Sequence, residues 1–380
     1  MTDRSGPLAG VRVIELGGIG PVPFAAMLLA DLGSDVITVR RPGDAAVGNP
    51  VLSRGRRSIA VNLKDPRGVD VVHSLIADSD ALIEGFRPGV AERLGFDPSE
   101  LRKANPALVV GRMTGYGQDG PLAQRAGHDI DYIALSGALA AIGHAGDRPT
   151  PPLNLVGDFG GGGMLLAIGV LAAILNARAT GRGQDVDAAM VDGSALLMAM
   201  IYGFHAAGTW TGGRGENLLD TGAPFYDTYA CADGKYIAVG AIEPRFFCCL
   251  VDGLGVGDLI DVAQQHDRRT WPRLREVLTD TFARATRDEW AERFADTDAC
   301  VAPVLDLTEA PRHAHNRGRG TFVTDQNGTV HPAPAPRFSH TPAREPEPAP
   351  APGRHTDELL REIGIDESDV ATLRRDGVVG

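Results

Sequence analysis

The sequence lacks the features that would place it among metal-binding or nucleic-acid-binding proteins. Only four of its 380 residues are cysteines, at positions 231, 248, 249 and 300, and their spacing contains no CxxC or other metal-ligand pattern. No metal site is therefore predicted, and so few thiols fit a reducing cytoplasm. The formal net charge of −12 is opposite in sign to that of a surface that binds nucleic acid.

The sequence also lacks the patterns of targeting and membrane-spanning segments. Residues 1–7 do not show the charged, apolar and small-residue order of a signal peptide. The longest apolar run, residues 164–175, is too short to span a bilayer. With 43% apolar and 23% charged residues, the composition is that of a soluble globular protein of two or three domains. We therefore expect a cytoplasmic protein with neither a membrane nor a nucleic-acid partner.

The first half of the chain contains an alternation of strands and helices. Residues 11–16, 35–39, 81–84 and 107–111 are short apolar runs typical of strands, and a helix predicted at 24–32 joins the first two into a βαβ unit. This alternation predicts an α/β fold with a Rossmann-like, doubly wound parallel sheet. Such sheets bind ligands in the crevice beyond the carboxyl ends of their strands.

The turn after the first predicted strand bears on one class of ligand, the dinucleotides. Gly18 and Gly20 match the first two positions of a GxGxxG fingerprint, but Pro23 stands at the third. The second strand ends in Arg40 and Arg41 instead of an acid. A nicotinamide-dependent oxidoreductase is therefore disfavoured, although an NADP site in which an arginine binds the 2′-phosphate stays open.

Residues 40–64 are locally basic although the chain as a whole is acidic. Six basic residues stand there against the single acid Asp44, and clustered cationic groups indicate a phosphorylated ligand. The alternative is that these are separate, solvated side chains. The six are Arg40, Arg41, Arg54, Arg56, Arg57 and Lys64.

Changes in composition along the chain predict four segments. An apolar helix predicted at 186–200 is followed by a glycine-rich passage, and a hairpin of strands at 223–230 and 236–240 opens a smaller unit. Recurring prolines between 332 and 352 predict an extended surface segment. The predicted segments are a large α/β domain 1–185, a helix and linker 186–222, a small α+β domain 223–325, and a return segment 326–380 whose helix packs on the large domain.

Two possible proton carriers lie in neighbouring parts of the chain. His128 is followed thirty residues later by Asp158 and then by four glycines, and residues 164–175 predict a helix directly after them. Asp158 would then stand at a helix N-terminus, where a carboxylate cap or a bound oxyanion is stabilised. From the residues alone, Asp158 is either an ordinary N-cap or a functional acid, and His128 is either structural or a proton carrier.

Six motifs give the chain a resemblance to a known family. They are Arg-Val-Ile-Glu-Leu at 12–16, Leu-Ile-Glu-Gly-Phe-Arg-Pro-Gly-Val at 82–90, Arg-Met-Thr-Gly-Tyr-Gly-Gln at 112–118, Gly-His-Asp-Ile at 127–130, Pro-Pro-Leu-Asn-Leu-Val-Gly-Asp-Phe-Gly-Gly-Gly at 151–162 and Val-Gly-Ala-Ile-Glu-Pro at 239–244. With these motifs, essentially the whole chain resembles the α-methylacyl-CoA racemases of the family III CoA-transferase superfamily, of the CaiB/BaiF type. The resemblance implies an interlocked homodimer, in which the large domain of one subunit and the small domain of the other form the active site.

The resemblance also implies the residues of the site. It assigns catalysis to His128 and Asp158, with Glu243 supporting the histidine. Asp131 stands where relatives carry asparagine, and we expect it beside the site rather than in it. Binding of coenzyme A by the large domain is assigned to basic residues, which are Arg41, Lys64, Arg87 and Arg93, with Arg56 and Arg57 near the nucleotide.

The activity that the resemblance implies is the interconversion of (R)- and (S)-2-methylacyl-CoA thioesters in lipid metabolism, by two-base proton transfer through an enolate. His128 and Asp158 would exchange the roles of base and acid, and the glycine turn would face the enolate oxygen. No cofactor is implied, because coenzyme A is part of the substrate. The main alternative is a family III CoA-transferase, in which Asp158 is a nucleophile that forms an acyl anhydride. A catalytically silent CoA-binding member is disfavoured because His128, Asp158 and Glu243 are all present.

Overall fold

The computed structural model describes residues 5–44, 48–343 and 345–380. Its contacts group the chain into two compact units. The first unit contains the chain up to Ser136, Leu153–Met198 and Gly320–Gly380, and the second contains Gly137–Pro152 and Ala199–Arg319. Both units are therefore discontinuous in the sequence, whereas the segments predicted from composition are continuous.

Eleven strands lie in the described part of the chain. They are β1 (Arg12–Leu16), β2 (Asp35–Arg40), β3 (Arg57–Ala60), β4 (Ala81–Glu84), β5 (Val109–Thr114), β6 (Asp185–Ala189), β7 (Tyr226–Ala230), β8 (Tyr236–Gly240), β9 (Val301–Pro303), β10 (Phe322–Thr324) and β11 (Val330–Pro332).

Fifteen α-helices lie in the same described ranges, and a π-helical segment, Leu155–Met164, runs directly into the seventh of them. They are α1 (Pro21–Asp31), α2 (Pro66–Ala77), α3 (Val90–Arg93), α4 (Pro98–Ala104), α5 (Asp129–Leu135), α6 (Ala138–Ala141), α7 (Leu165–Thr180), α8 (Met190–Leu197), α9 (Ala199–Ala206), α10 (Pro244–Leu254), α11 (Trp271–Phe282), α12 (Arg287–Phe294), α13 (Ala314–Arg319), α14 (Thr356–Glu362) and α15 (Glu367–Arg375).

A six-stranded parallel sheet forms the centre of the first unit, in the order β3-β2-β1-β4-β5-β6. The predicted α/β class with a parallel sheet and the βαβ unit of β1, α1 and β2 are confirmed. Two details of the prediction were wrong. Residues 185–189 form β6 instead of beginning a helix, because a short apolar run does not distinguish a buried strand from a buried helix. Strand β3 lies within the basic passage and was not predicted.

Both faces of this sheet are buried under helices. Successive residues of a strand point to opposite faces, so Val13 of β1 packs in a cluster that includes α1 and α7, while Ile14 packs in one that includes α2 and α14. Both side chains are fully buried. Burial on two faces explains why these strands are nearly continuous apolar runs.

The four glycines after Asp158 lie inside a helix. A Cβ on Gly161 would come within 2.6 Å of the backbone nitrogen of Ser194, and one on Gly163 within 2.7 Å of the backbone oxygen of Pro21. The glycines therefore allow α8 and α1 to pack closely against the helix. The prediction that they form an amide-rich turn before a helix was wrong, because they lie within the helix. Close packing of neighbouring helices explains why glycine is needed at these positions.

This helix is also longer than the apolar run that predicted it. From Leu155 to Thr180 it has 26 residues and its mean hydropathy reaches 1.8, so by length and composition alone it is able to cross a membrane. The prediction from residues 164–175 was too short because the helix continues back through the glycines. One face of α7, with Leu166 and Val170, is buried in the core of the first unit.

The end of the chain returns to the first unit. Strands β10 and β11 form an antiparallel hairpin, and buried Arg54 is bonded to the His331 ring and to the Pro332 carbonyl at 2.7 Å each. Leu359 and Leu360 of α14 are buried on one face of the sheet. The described residues between β11 and α14 form neither helix nor strand, as the prolines predict.

The second unit has a small antiparallel sheet in the order β7-β8-β9. The predicted hairpin of β7 and β8 is confirmed, and the helices α10, α11 and α12 belong to the same unit. Phe225 stands edge-on to both Phe247 and Trp271 in the core of this unit. The unit thus has its own apolar core.

Candidate active site

A cavity of about 430 Å³ opens in the first unit at the carboxyl ends of β1, β4 and β5. It lies beside the point between β1 and β4 where the strand order reverses, which is where such sheets bind ligands. We call it the β4-side cavity. His128 and Asp158 both line it, so the two predicted proton carriers lie in one cavity.

The backbone of His128 is held by the start of α5. His128 is the N-cap residue, with extended backbone (φ −131°, ψ 174°). Its N–H donates to the Asp131 carboxylate at 2.9 Å, and the Asp131 N–H donates to the His128 carbonyl at 2.9 Å. This reciprocal pair fixes the backbone that carries the imidazole. Asp131 does not line the cavity, which is the position expected for it.

Asp158 is held through both its backbone and its side chain. It lies half-buried in the first turn of the π-helical segment. Its N–H donates to Asp129 Oδ1 at 2.7 Å, and its Oδ2 accepts from Asn154 Nδ2 at 3.1 Å. Gly20 leaves room for the carboxyl group, because a Cβ there would lie 2.9 Å from Asp158 Oδ2.

The surroundings of Asp158 favour its protonated form. Burial raises the pKa of Asp158 above its usual value, and the Asp129 carboxylate raises it further, whereas the hydrogen bond from Asn154 and the positive charge of His128 lower it. Asp129 is itself buried, and its Oδ2 has no hydrogen-bond partner among the described residues. A carboxyl group with a raised pKa is suited to give and take protons nearer neutral pH.

A second cavity, of about 590 Å³, lies at the carboxyl ends of β1, β2 and β3. We call it the β2-side cavity. Arg40, Arg41 and Lys64 line it, and Asp44 is the one acid among its described lining residues. Phe86 lines both cavities. The positive lining suits phosphate groups, and the predicted CoA-contacting residues Arg41 and Lys64 lie here together.

The other predicted CoA-binding residues are distributed differently. Arg87 is exposed and lines the β4-side cavity. Arg93 is exposed at the end of α3, beside Gly89, and lines neither cavity.

Two arginines that were expected near the nucleotide are buried and form ion pairs inside the protein instead. Arg56 is 4% exposed and its Nη1 lies 2.6 Å from Glu15 Oε2. Arg57 is 5% exposed and pairs with Asp35 and with two carboxylates of α14. Because acids neutralise both guanidinium groups and neither side chain lines the β2-side cavity, we leave Arg56 and Arg57 out of the candidate ligand-binding set.

Glu243 belongs to the second unit. It is the exposed N-cap residue of α10, and its carbonyl accepts the N–H groups of Phe246 and Phe247 at 3.0 Å each. Its side chain is not part of the β4-side cavity lining. Its support of His128 stays a prediction.

Sequence reasoning missed two residues of the site, Asp129 and Tyr132. Tyr132 follows His128 by one helical turn, is 6% exposed and lines the β4-side cavity. The four-residue spacing was the available signal, because residues so spaced share a helix face. Within the described ranges, no group of three or more His, Cys, Asp or Glu side chains is arranged to hold a metal ion.

Comparison with known proteins identifies the family of the chain. The family model for CoA-transferase family III matches residues 8–356. The α-methylacyl-CoA racemases of Mus musculus and Homo sapiens are 45% and 43% identical to this chain over 373 residues, which cover 98% of this chain and 97% of each relative. A CaiB/BaiF family protein from Brucella suis has a solved structure that is 25% identical, with a TM-score of 0.81, covering 95% of this chain and 100% of that one. The chain therefore belongs to CoA-transferase family III.

Proposed function

We propose that the protein is an α-methylacyl-CoA racemase, which interconverts (R)- and (S)-2-methylacyl-CoA thioesters. The observation that carries the proposal is the presence of His128 and Asp158 in one cavity at the carboxyl edge of the sheet. The high identity to two racemases over nearly the whole chain supports the same activity.

Racemisation at a carbon next to a thioester needs an acid and a base on opposite sides of that carbon. In one direction His128 removes the α-proton, the C–H electron pair forms a C=C bond, and the thioester oxygen takes the negative charge. Protonated Asp158 then returns a proton to the opposite face, and the roles reverse for the other enantiomer. The pKa of Asp158 is raised above its usual value, which favours a carboxyl group that serves as both acid and base. These steps need no further cofactor.

Coenzyme A fits the β2-side cavity by its charge. Its phosphates would meet Arg41 and Lys64, with Arg40 beside them. Phe86 lines both cavities, so a thioester that leaves the β2-side cavity past Phe86 reaches the proton carriers. Arg87, which lines the β4-side cavity, and Arg93, which lines neither cavity, are proposed to contact the substrate more weakly than Arg41 and Lys64 do.

We also propose an interlocked homodimer, in which Glu243 of the partner subunit supports His128. A carboxylate beside the imidazole would fix its orientation and stabilise its charged form. An exposed apolar face along the end of the π-helical segment and α7 supports a covering partner, because Met164, Ile168 and Leu175 are 48%, 64% and 72% exposed. Light scattering on the purified protein tests this assembly, and a monomer at assay concentration would contradict it.

Hydrogen exchange tests the activity. A pure (R)- or (S)-2-methylacyl-CoA is incubated with the protein in deuterium oxide, without any acceptor acid, and α-deuteration and chirality are followed. We expect deuterium to enter the α-position as the enantiomers equilibrate. The CoA-transferase alternative, with Asp158 as nucleophile, predicts no exchange and a transfer of CoA once a free acid is added, and that result would overturn the proposal.

A further inference from the structure

The enolate needs a hydrogen-bond donor at its oxygen, and the glycines after Asp158 do not supply it. They lie inside a helix, packed against α1 and α8. A donor aimed at developing charge contributes most when it is fixed in place before the reaction. Among the polar side chains that line the β4-side cavity, Tyr132 is a donor that is fixed in this way.

Tyr132 lies one helical turn after His128, and its N–H donates to the His128 carbonyl at 3.3 Å. It lines the same cavity as His128 and Asp158 although its side chain is almost completely buried. The two proton carriers and this phenol thus converge on one space of about 430 Å³.

Two glycines and a second tyrosine hold the ring of Tyr132. A Cβ on Gly115 would lie only 2.1 Å from Tyr132 Cε1 and 2.5 Å from its hydroxyl oxygen, and one on Gly127 would lie 2.8 Å from Cε1. Tyr116 stands edge-on to the ring at 5.0 Å between centroids. The phenol ring therefore fills a space that only glycine backbone leaves open, and its position is fixed without a ligand.

The hydroxyl of Tyr132 is a hydrogen-bond donor in its neutral form. Burial raises the pKa of Tyr132 to about 12, and the nearby groups Tyr116, Asp158 and Asp131 raise it as well. Below that pH the phenol keeps its proton, so it is a neutral donor throughout the range in which His128 and Asp158 exchange protons.

We propose that the Tyr132 hydroxyl donates a hydrogen bond to the thioester oxygen and stabilises the enolate. When the α-C–H bond breaks, its electron pair forms the C=C bond and the carbonyl pair moves onto oxygen. Tyr132 keeps its own proton while it bonds that oxygen. The inference deepens the proposed racemase function and rests on it.

Tyr132→Phe tests the role because it removes the hydroxyl and keeps the ring between Gly115 and Gly127. We expect kcat to fall by roughly a hundredfold, as for the loss of one oxyanion donor, with little change in KM. The rate of α-deuteration should fall by the same factor. The pH–rate profile should keep its shape, because the hydroxyl does not titrate in the working range.

The matched control is Tyr229→Phe, which removes a buried hydroxyl that donates to the Pro224 carbonyl in the second unit. This variant should lose stability without losing kcat. Two results would overturn the inference about Tyr132: a kcat within twofold of wild type, or a loss explained by a shifted pH profile, which would mean that the hydroxyl acts through Asp158. If wild-type protein shows no α-exchange at all, the racemase proposal itself fails, and that outcome is distinct from either of these.

Discussion

The basic residues in and beside the crevice fall into two groups. One group forms buried ion pairs, and the other lines a cavity. Arg54 and Arg56 are 3% and 4% exposed and are bound to the buried acids Asp31 and Glu15. Arg41 and Lys64 are exposed and line the β2-side cavity. All four lie within a single basic passage of the sequence.

What separates the groups is the position of their acidic partners, which lie far away in the chain. Asp31 precedes Arg54 by 23 residues, and Glu15 precedes Arg56 by 41. A basic residue with such a partner supports the fold, whereas one without it is available to a ligand. Variants of residues behind the crevice should therefore lower stability, and variants of residues that line it should lower binding or activity.

The largest effect is expected from Arg56→Met. It leaves the Glu15 carboxylate buried without its partner, and breaking a buried pair costs about 3–5 kcal/mol of unfolding free energy. Denaturant unfolding measures the loss. Combining Arg56→Met with Glu15→Gln should recover part of it, because no uncompensated charge is then buried. Equal stability of Arg56→Met and wild type would place Arg56 with the ligand-binding group.

Some glycines are likewise required by packing behind the crevice. Gly161→Ala should therefore lower the stability of the protein. Its Cβ would meet the Ser194 and Gly193 backbone of α8, so we expect a loss of about 1–3 kcal/mol from overpacking. Gly160→Ala is the matched control, because its Cβ would meet the movable Leu197 side chain at 3.0 Å and no backbone atom nearer than the Leu155 carbonyl oxygen at 3.1 Å. Thermal unfolding compares the two. Equal stabilities would contradict the account of the glycines as packing residues.

The double variant Arg41→Ala/Lys64→Ala should affect binding and leave stability unchanged. Two exposed charge contacts contribute roughly 0.2–1 kcal/mol each, so KM for an acyl-CoA should rise by between about twofold and about thirtyfold. The difference from wild type should shrink as salt is added, because exposed charges are screened. A KM equal to that of wild type at low salt would remove the β2-side cavity from CoA binding.

The smallest effects concern the two neighbours of Asp158. Asp129→Asn removes a negative charge, so the pKa of Asp158 should fall; Asn154→Ala removes a hydrogen bond to its carboxylate, so that pKa should rise. Where Asp158 is the base, activity rises with pH through its pKa. The acidic limb of the pH–rate profile, measured in that direction of the reaction, should therefore move to lower pH in Asp129→Asn and to higher pH in Asn154→Ala. Shifts in the same direction would contradict the assigned causes.

The sequence predicts much of the first unit, because its strands and helices follow local patterns. The strands β1, β2, β4 and β5 and the hairpin of β7 and β8 each depend on neighbouring residues, and their prediction was confirmed. Local pattern failed at β6, where an apolar run fits a helix equally well. It also failed at the four glycines, because glycine is needed there to let α1 and α8 pack closely against the helix, and these helices are distant in the sequence.

Site residues that stand in recognisable motifs could be predicted from the sequence. Residues whose role depends on a contact with a distant part of the chain could not. His128 and Asp158 stand in motifs of the family, and both line the β4-side cavity. Tyr132 is an ordinary aromatic residue in the sequence, where its four-residue spacing from His128 is a weak signal, and its place against Gly115, just after β5, distinguishes it in the fold. Arg57 was misjudged because its partners, on β2 and α14, are remote in sequence.

The central claim is that His128 and Asp158 serve opposite faces of one α-carbon, and α-exchange by single variants tests it most directly. Enantiomerically pure (R)- and (S)-2-methylacyl-CoA are each incubated in deuterium oxide with His128→Ala or Asp158→Ala. Racemisation should fall by several orders of magnitude in both variants, and each should still exchange the α-proton of one enantiomer, a different one in each case. Racemisation near the wild-type rate in either variant, or exchange of the same enantiomer by both, would contradict the claim.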